Sequence, residues 1–295
     1  MNAQFKEEKY MADKNYRAEL VGVFGDPVDG NPTGVLEEAG FAAAGLNFRY
    51  ITCKVTPDKL EDAIAGLRAL NMRGVNLTMP HKVQVLKYLD EQSEAVRIIG
   101  ASNTIIVENG RLIGENSDGK GFVKSLKDAE IAIAGKTITM LGAGGAARAI
   151  GVECALAGAK KINIINRNEE RGRELVEVIS KNTAAAAEYF PWQGTVDIPA
   201  ETEILINATC VGLHPDVDAC PDINYDCIRA GMPVCDVVFN PVMPLFLKKA
   251  EAKGAKVITG IGMLVNQGAL NFEWWTGVKA PEDVMMDALV KEFEE

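Results

Sequence analysis

At 295 residues, with 47% hydrophobic and 24% charged side chains, the chain has an ordinary globular composition and the length for two domains. A formal net charge of −10, from 31 basic and 41 acidic residues, argues against nucleic acid as the main partner, because no basic stripe exists to neutralise phosphates. No apolar run is long enough to span a bilayer. The charged opening MNAQFKEEKYMADKNYRAE lacks the apolar core of a secretory signal, so residues 1–18 read as an N-terminal extension of a cytoplasmic protein.

The first half alternates. A short apolar strand at 19–24 precedes a helix at 34–44, a β-rich run at 48–55, a helix at 58–70 and a strand at 74–79. Strands that alternate with helices imply parallel pairing and right-handed crossovers. A helical run at 83–89 follows. Two β-rich runs, 103–107 and 111–114, are then joined by Asn109-Gly110, a strong hairpin signal. A helix at 119–126 leads to a strand at 136–140.

Next comes LGAGGAARA at 141–149, between that strand and a helix at 146–156. Strand, glycine turn and helix start form the arrangement that receives a dinucleotide pyrophosphate. Gly142 permits the tight turn, Gly144 lets the backbone approach the phosphates, and Ala143, Gly145 and Ala146 keep the turn and helix start slim. The helix N-terminus offers unpaired N–H groups and a positive dipole end. A second apolar strand at 161–165 ends in Asn166-Arg167, where such a unit meets the adenosine ribose. The alternation continues with a helix at 169–180, strands at 203–207 and 233–239, a helix at 245–253 and a strand at 256–259. The runs 262–277 and 281–294 read as helices, and 184–187 as a short loop or helix end.

The fold class is therefore α/β. An N-terminal α/β substrate domain (19–118) joins a Rossmann-type dinucleotide-binding domain (119–261), and C-terminal helices (262–295) return to the first domain. A ligand is expected in the cleft between domains.

Six cysteines are scattered without a CxxC pair and read as reduced thiols. A zinc site from Cys210, His214, Cys220 and Cys227 has irregular spacing, so no metal is expected. With only two histidines, His81 and His214, proton transfer falls to lysines and carboxylates. Three polar clusters are at odds with their surroundings. In NLTMPHK at 76–82, Thr78 and Lys82 project from a strand end, and a lysine at a helix start opposes the dipole, so it needs another reason. In GASNT at 100–104, small residues surround Asn103, although a plain turn would look the same. In GENSDG at 114–119, Asp118 is an obvious helix N-cap candidate. What favours chemistry is their occurrence together ahead of a dinucleotide turn.

These strings resemble the shikimate/quinate dehydrogenases. The matching runs are GDPV from Gly25, GVNLTMPHK ending at Lys82, GASNT ending at Thr104 and GENSDGKGF from Gly114. They continue with LGAGGAARAI, INRNEER, INATCVGL from Ile206, DVVFNP from Asp236 and GIGMLVNQGALNFEWWTG from Gly260. The resemblance implies reversible NAD(P)-dependent oxidation of a ring hydroxyl of shikimate, quinate or a related cyclic hydroxy acid. It implies that Lys82 and Asp118 flank the reacting hydroxyl, and that Thr78, Asn103 and Gln267 hydrogen-bond the substrate. Glu94, Thr209, Val237 and Gly260 match positions near the cofactor.

The match departs at the substrate carboxylate. Where the family reads H-S-x-S-P, this chain has Gly30-Asn31-Pro32-Thr33-Gly34, and Glu37-Glu38 replace a following His-Asn pair. Phe239 stands where a tyrosine hydroxyl is usual. Each lost donor to a charged group costs about 1–3 kcal/mol. An altered grip on that side is expected. Arg167 and Arg171 match a clamp for the 2′-phosphate of NADP. Asn168 replaces the usual Ser/Thr, and Glu169-Glu170 can instead bind the free ribose hydroxyl of NAD. On those carboxylates the reading leans to NAD, with NADP close behind. The alternatives are a non-catalytic nucleotide-binding or ligand-binding sensor of the same fold, or a dehydrogenase of a different small hydroxy acid. The expected partner is a small molecule, neither nucleic acid nor membrane, and a homodimer is allowed.

Overall fold

The computed structural model describes residues 16–294; the expected N-terminal extension falls almost wholly outside them. The strands form two six-stranded sheets. The first, in order β2-β1-β3-β5-β6-β4, contains β1 (Glu19–Gly25), β2 (Phe48–Lys54), β3 (Gly74–Leu77), β4 (Glu91–Gln92), β5 (Thr104–Glu108) and β6 (Arg111–Glu115). The second, in order β12-β11-β10-β7-β8-β9, contains β7 (Thr137–Leu141), β8 (Lys161–Asn166), β9 (Ala186–Pro191), β10 (Ile204–Asn207), β11 (Pro233–Asp236) and β12 (Lys256–Ile258). Among the described residues the helices are α1 (Thr33–Ala43), α2 (Leu60–Ala69), α3 (His81–Gln84), α4 (Glu94–Ile99), α5 (Ser117–Asp128), α6 (Gly145–Leu156), α7 (Glu169–Asn182), α8 (Leu245–Glu251), α9 (Gly260–Thr276) and α10 (Glu282–Glu294).

The second sheet is parallel throughout. Helices cover both faces, which is why β7 (TITML) and β10 (ILIN) are buried at every position. The first sheet departs from the expected parallel pairing. Strands β1, β2 and β3 are parallel, but β5 runs antiparallel to both β3 and β6. Asn109 and Gly110 both take positive φ, 52° and 78°, and close the expected hairpin between β5 and β6, while the antiparallel pairing of β5 with β3 joins segments far apart in the chain. Three elements carried too little periodicity to be foreseen. Helix α4 is six residues long and capped by Ser93, β4 is two residues long, and β9 is an edge strand in the alanine-rich stretch expected as a short loop or helix end.

Helices α9 and α10 pack with α1 on the first sheet, around Leu36, Phe41, Phe272, Trp275 and Met285. The indole of Trp275, fully buried, donates to the Ile105 carbonyl at 3.1 Å and ties α9 to β5. Helix α5 wedges between α6 and α9. A Cβ at Gly119 would lie 2.4 Å from the Ala149 carbonyl oxygen, and one at Gly121 would lie 2.7 Å from the Gln267 nitrogen. Only bare backbone allows both approaches, so the two glycines of GENSDGKGF set where Asp118 sits. No described helix is long and apolar enough to cross a membrane.

Candidate active site

The first sheet's strand ends, the N-termini of α5 and α6, and the start of α9 enclose a cavity of about 400 Å³. At the end of β3 the chain turns into α3. The His81 ring is buried with Nε2 2.7 Å from the Val55 carbonyl oxygen, which anchors that turn and leaves the neighbouring Lys82 facing the cavity. Lys82 Nζ donates to Asp118 Oδ2 at 2.7 Å, with the two side chains 33% and 19% exposed. Asp118 is not the helix cap. Asn116 takes that role by accepting from the Gly119 N–H, so the Asp118 carboxylate is free for the lysine. Its other oxygen accepts from Asn103 Nδ2 at 2.9 Å, and Asn103 Oδ1 accepts from the Ser117 N–H at 2.7 Å.

Beneath the pair lies a buried polar layer. The Tyr50 hydroxyl donates to Asn76 Oδ1 at 2.9 Å, Asn76 Nδ2 to Thr104 Oγ1 at 3.2 Å, Thr104 to Asn271 Oδ1 at 2.9 Å, and Asn271 Nδ2 to Gln267 Oε1 at 3.2 Å. Each member holds the next, which fixes the cavity floor. Thr33, Thr78, Asn103 and Gln267 line the cavity as expected from sequence. Asn31 also lines it, but its Oδ1 is spent on the Thr33 N–H, 3.0 Å away. Phe239 forms an apolar wall, its ring 5.6 Å from that of Phe293 on α10.

At the other end, Gly142 has φ +104°, and a Cβ there would press on Thr209 at 2.9 Å. Gly144 is extended, and no side chain caps α6, so its first N–H groups remain available. Open space surrounds the Cβ positions of Gly144 and Gly145. Such a turn fits a pyrophosphate. Gly144, Gly145, Ala146, Thr209, Val237 and Gly260 line this end. Gly142 and Ala143, also expected at the cofactor, do not line the cavity, and Ala143 packs against the hydrophobic core. Thr209 donates to Asn207 Oδ1 at 2.7 Å, and Asn207 donates to Asp236 Oδ1 at 3.0 Å. Burial pushes the Asp236 carboxyl up to about 7.

Asn166, Arg167, Asn168 and Arg171 lie beyond the cavity, at the end of β8 and the start of α7. Asn168 Oδ1 caps that helix through the Arg171 N–H at 2.9 Å. The side chains of Arg167 and Arg171 are exposed and have no ion-pair partner among the described residues, whereas Glu169 accepts from Arg173 at 2.7 Å. That exposed i,i+4 pair leaves the Glu169-Glu170 carboxylates at the surface, and the expected lean to NAD finds no support in the curated relatives described below, which are named for NADP(+). Glu94 is an exposed first-turn acid of α4, outside the cavity. Sequence reading missed Asn76, Cys210 and Met263, which also line the cavity. A polar residue within the otherwise apolar GVNL strand was the available signal for Asn76, and the place one turn before Gln267 was that for Met263. Among the described residues no three His, Cys, Asp or Glu side chains are grouped to hold a metal ion.

Three family models match the chain: the shikimate dehydrogenase substrate binding domain over residues 23–105, shikimate / quinate 5-dehydrogenase over 124–212, and the shikimate 5′-dehydrogenase C-terminal domain over 260–290. A curated shikimate dehydrogenase (NADP(+)) of Desulforamulus reducens is 41% identical over 281 residues, covering 94% of this chain and 97% of that protein. Among solved structures, the ligand-free 5-ketofructose reductase of Gluconobacter sp. strain CHM43 is similar with TM-score 0.92 and 44% identity, covering 95% of this chain and all of that one. Shikimate 5-dehydrogenase of Listeria monocytogenes, in complex with shikimate and NAD, is similar with TM-score 0.87 and 34% identity, covering 93% and 97%.

Proposed function

The chain belongs to the shikimate/quinate dehydrogenase family, and on that premise we propose that it is an NADP-dependent oxidoreductase interconverting a hydroxyl and a ketone on a small polyhydroxylated ring. The carrying observation is the Lys82–Asp118 pair, 2.7 Å apart and lining the same cavity as the open glycine turn. Residues 119–261 would bind the dinucleotide, and 19–118 with 262–295 the substrate.

A bound nicotinamide supplies or accepts the hydride. The chain's own part is the proton. In the oxidising direction the hydroxyl proton passes to Lys82 Nζ, and in the reducing direction the ammonium returns it to the carbonyl oxygen. Asp118 holds the ammonium within reach, and Asn103 fixes Asp118. A non-catalytic sensor would have no use for this pair. For the cofactor, the exposed Arg167 and Arg171, without an ion-pair partner among the described residues, suit a 2′-phosphate, and the NADP(+) in the name of the Desulforamulus reducens relative supports NADP over NAD.

Shikimate and quinate are the carboxylate substrates implied by the family. A second reading of the substrate has its own support: Asn31, Thr33 and Phe239 replace the carboxylate-binding residues, and the Gluconobacter protein, 44% identical, is named a reductase of an uncharged keto sugar. Steady-state rates with NADPH and NADP+ on shikimate, its ketone, quinate and 5-ketofructose test both readings. Absence of turnover on all of them would sink the oxidoreductase assignment.

A further inference from the structure

Glu37 is fully buried, and neither carboxyl oxygen has a hydrogen-bond partner among the described residues. An unpaired carboxyl in a protein interior is costly, so its place needs a reason. It sits one helical turn after Thr33 on the inner face of α1. Its Oε1 lies 3.5 Å from where Gly268 would carry a Cβ, directly after Gln267 on α9. Its charge also bears on Tyr50 of β2, whose hydroxyl donates to Asn76. Thr33, Asn76 and Gln267 all line the substrate end of the cavity. Glu37 is therefore the layer immediately behind that wall.

We infer that Glu37 is a specificity-determining residue: once ionised, it turns the substrate end of the cavity against carboxylates and toward uncharged polyhydroxy ketones. The inference rests on the oxidoreductase reading above. Two titratable groups bear on Glu37: Glu38, its neighbour on α1, and Tyr50 on β2; α9 presents Gly268 there, which has no side chain. Burial first, and the like charge of Glu38 second, hold the Glu37 carboxyl well above the usual carboxylate range. The cation at the cavity, Lys82, is already paired with Asp118.

An anionic substrate and an ionised Glu37 would thus lie on the two sides of a low-dielectric wall, with no unpaired Lys or Arg among the described residues that line the cavity. A carboxylate enters favourably only while Glu37 keeps its proton. Its arrival raises the Glu37 proton affinity further and draws protons from solution. Carboxylate affinity then falls as pH rises through the Glu37 titration, and an uncharged ligand shows no such coupling.

The test is calorimetric titration into the full-length protein in its non-reacting complexes, shikimate with NADPH and 5-ketofructose with NADP+, in two buffers of different ionisation enthalpy, for wild type and Glu37→Gln. The expected result at alkaline pH, where Glu37 is ionised before binding, is proton uptake in the wild type that disappears in the variant, with shikimate bound about tenfold more tightly by the variant. For 5-ketofructose the proton count should be the same in both proteins. Equal shikimate affinities and proton counts in the two proteins, or shikimate binding to neither, would overturn the inference. A purely structural role would change thermal stability without changing the proton count. Lack of turnover on every substrate would instead count against the oxidoreductase reading and leave the proton count to decide on Glu37.

Discussion

Thirty-six positions apart in sequence, Lys82 and Asp118 meet with Nζ 2.7 Å from Oδ2, and the meeting depends on a third residue. Because Asn116 caps α5, Asp118 is released from the role its position suggests and can hold the lysine.

Replacing either partner should separate chemistry from binding. Lys82→Ala is expected to lower kcat by about 10²- to 10⁴-fold. Asp118→Asn should lower it less, since the amide still orients the amine. NADPH affinity, read from cofactor fluorescence, should hold in both. An unchanged kcat in Lys82→Ala would remove the lysine from the mechanism.

The glycine turn makes two opposite predictions. Gly144 faces open space, so Gly144→Val should fold with an unchanged Tm yet lose NADPH binding, because the valine fills the pyrophosphate position. At Gly142 the left-handed backbone and the Thr209 contact mean that Gly142→Ala should destabilise the fold by about 1–2 kcal/mol. Denaturant titration and fluorescence binding on the same samples distinguish the two effects.

Arg167→Ala and Arg171→Ala should each reduce kcat/KM for NADP+ by about 10- to 100-fold while leaving that for NAD+ nearly unchanged. Equal losses with both cofactors would mean that the arginines do not read the 2′-phosphate.

Phe239→Tyr tests the apolar wall. If a hydroxyl there reaches a substrate carboxylate, KM for shikimate should fall by about tenfold, the value of one donor to a charged group. An unchanged KM would mean that Phe239, held against Phe293, keeps any hydroxyl away from the substrate.

Asp236 predicts a pH dependence of stability. Its carboxyl titrates near 7 in the fold because of burial, against about 4 when unfolded. The folded state therefore binds more protons between these values, and stability falls as pH rises through them, by about 4 kcal/mol. Its contribution is fully present at lower pH and lost above about 7. Asp236→Asn should flatten that part of the curve, measured by urea unfolding across the range.

The strand–turn–helix at 137–156, the Asn109-Gly110 hairpin and the polar clusters around Lys82, Asn103 and Asp118 are legible along the chain. These are written in spacing and in residue types whose backbone needs are local. Tertiary structure decided what local rules leave degenerate. It set the antiparallel place of β5 beside β3, which puts Asn76 against Thr104, and it made Asn116 the cap in place of Asp118. It committed Glu169 to Arg173, and it buried Glu37 behind the cavity wall. Each depends on partners brought from distant parts of the chain, and a hydrogen bond or a desolvated charge has no signature in sequence until its surroundings are assembled.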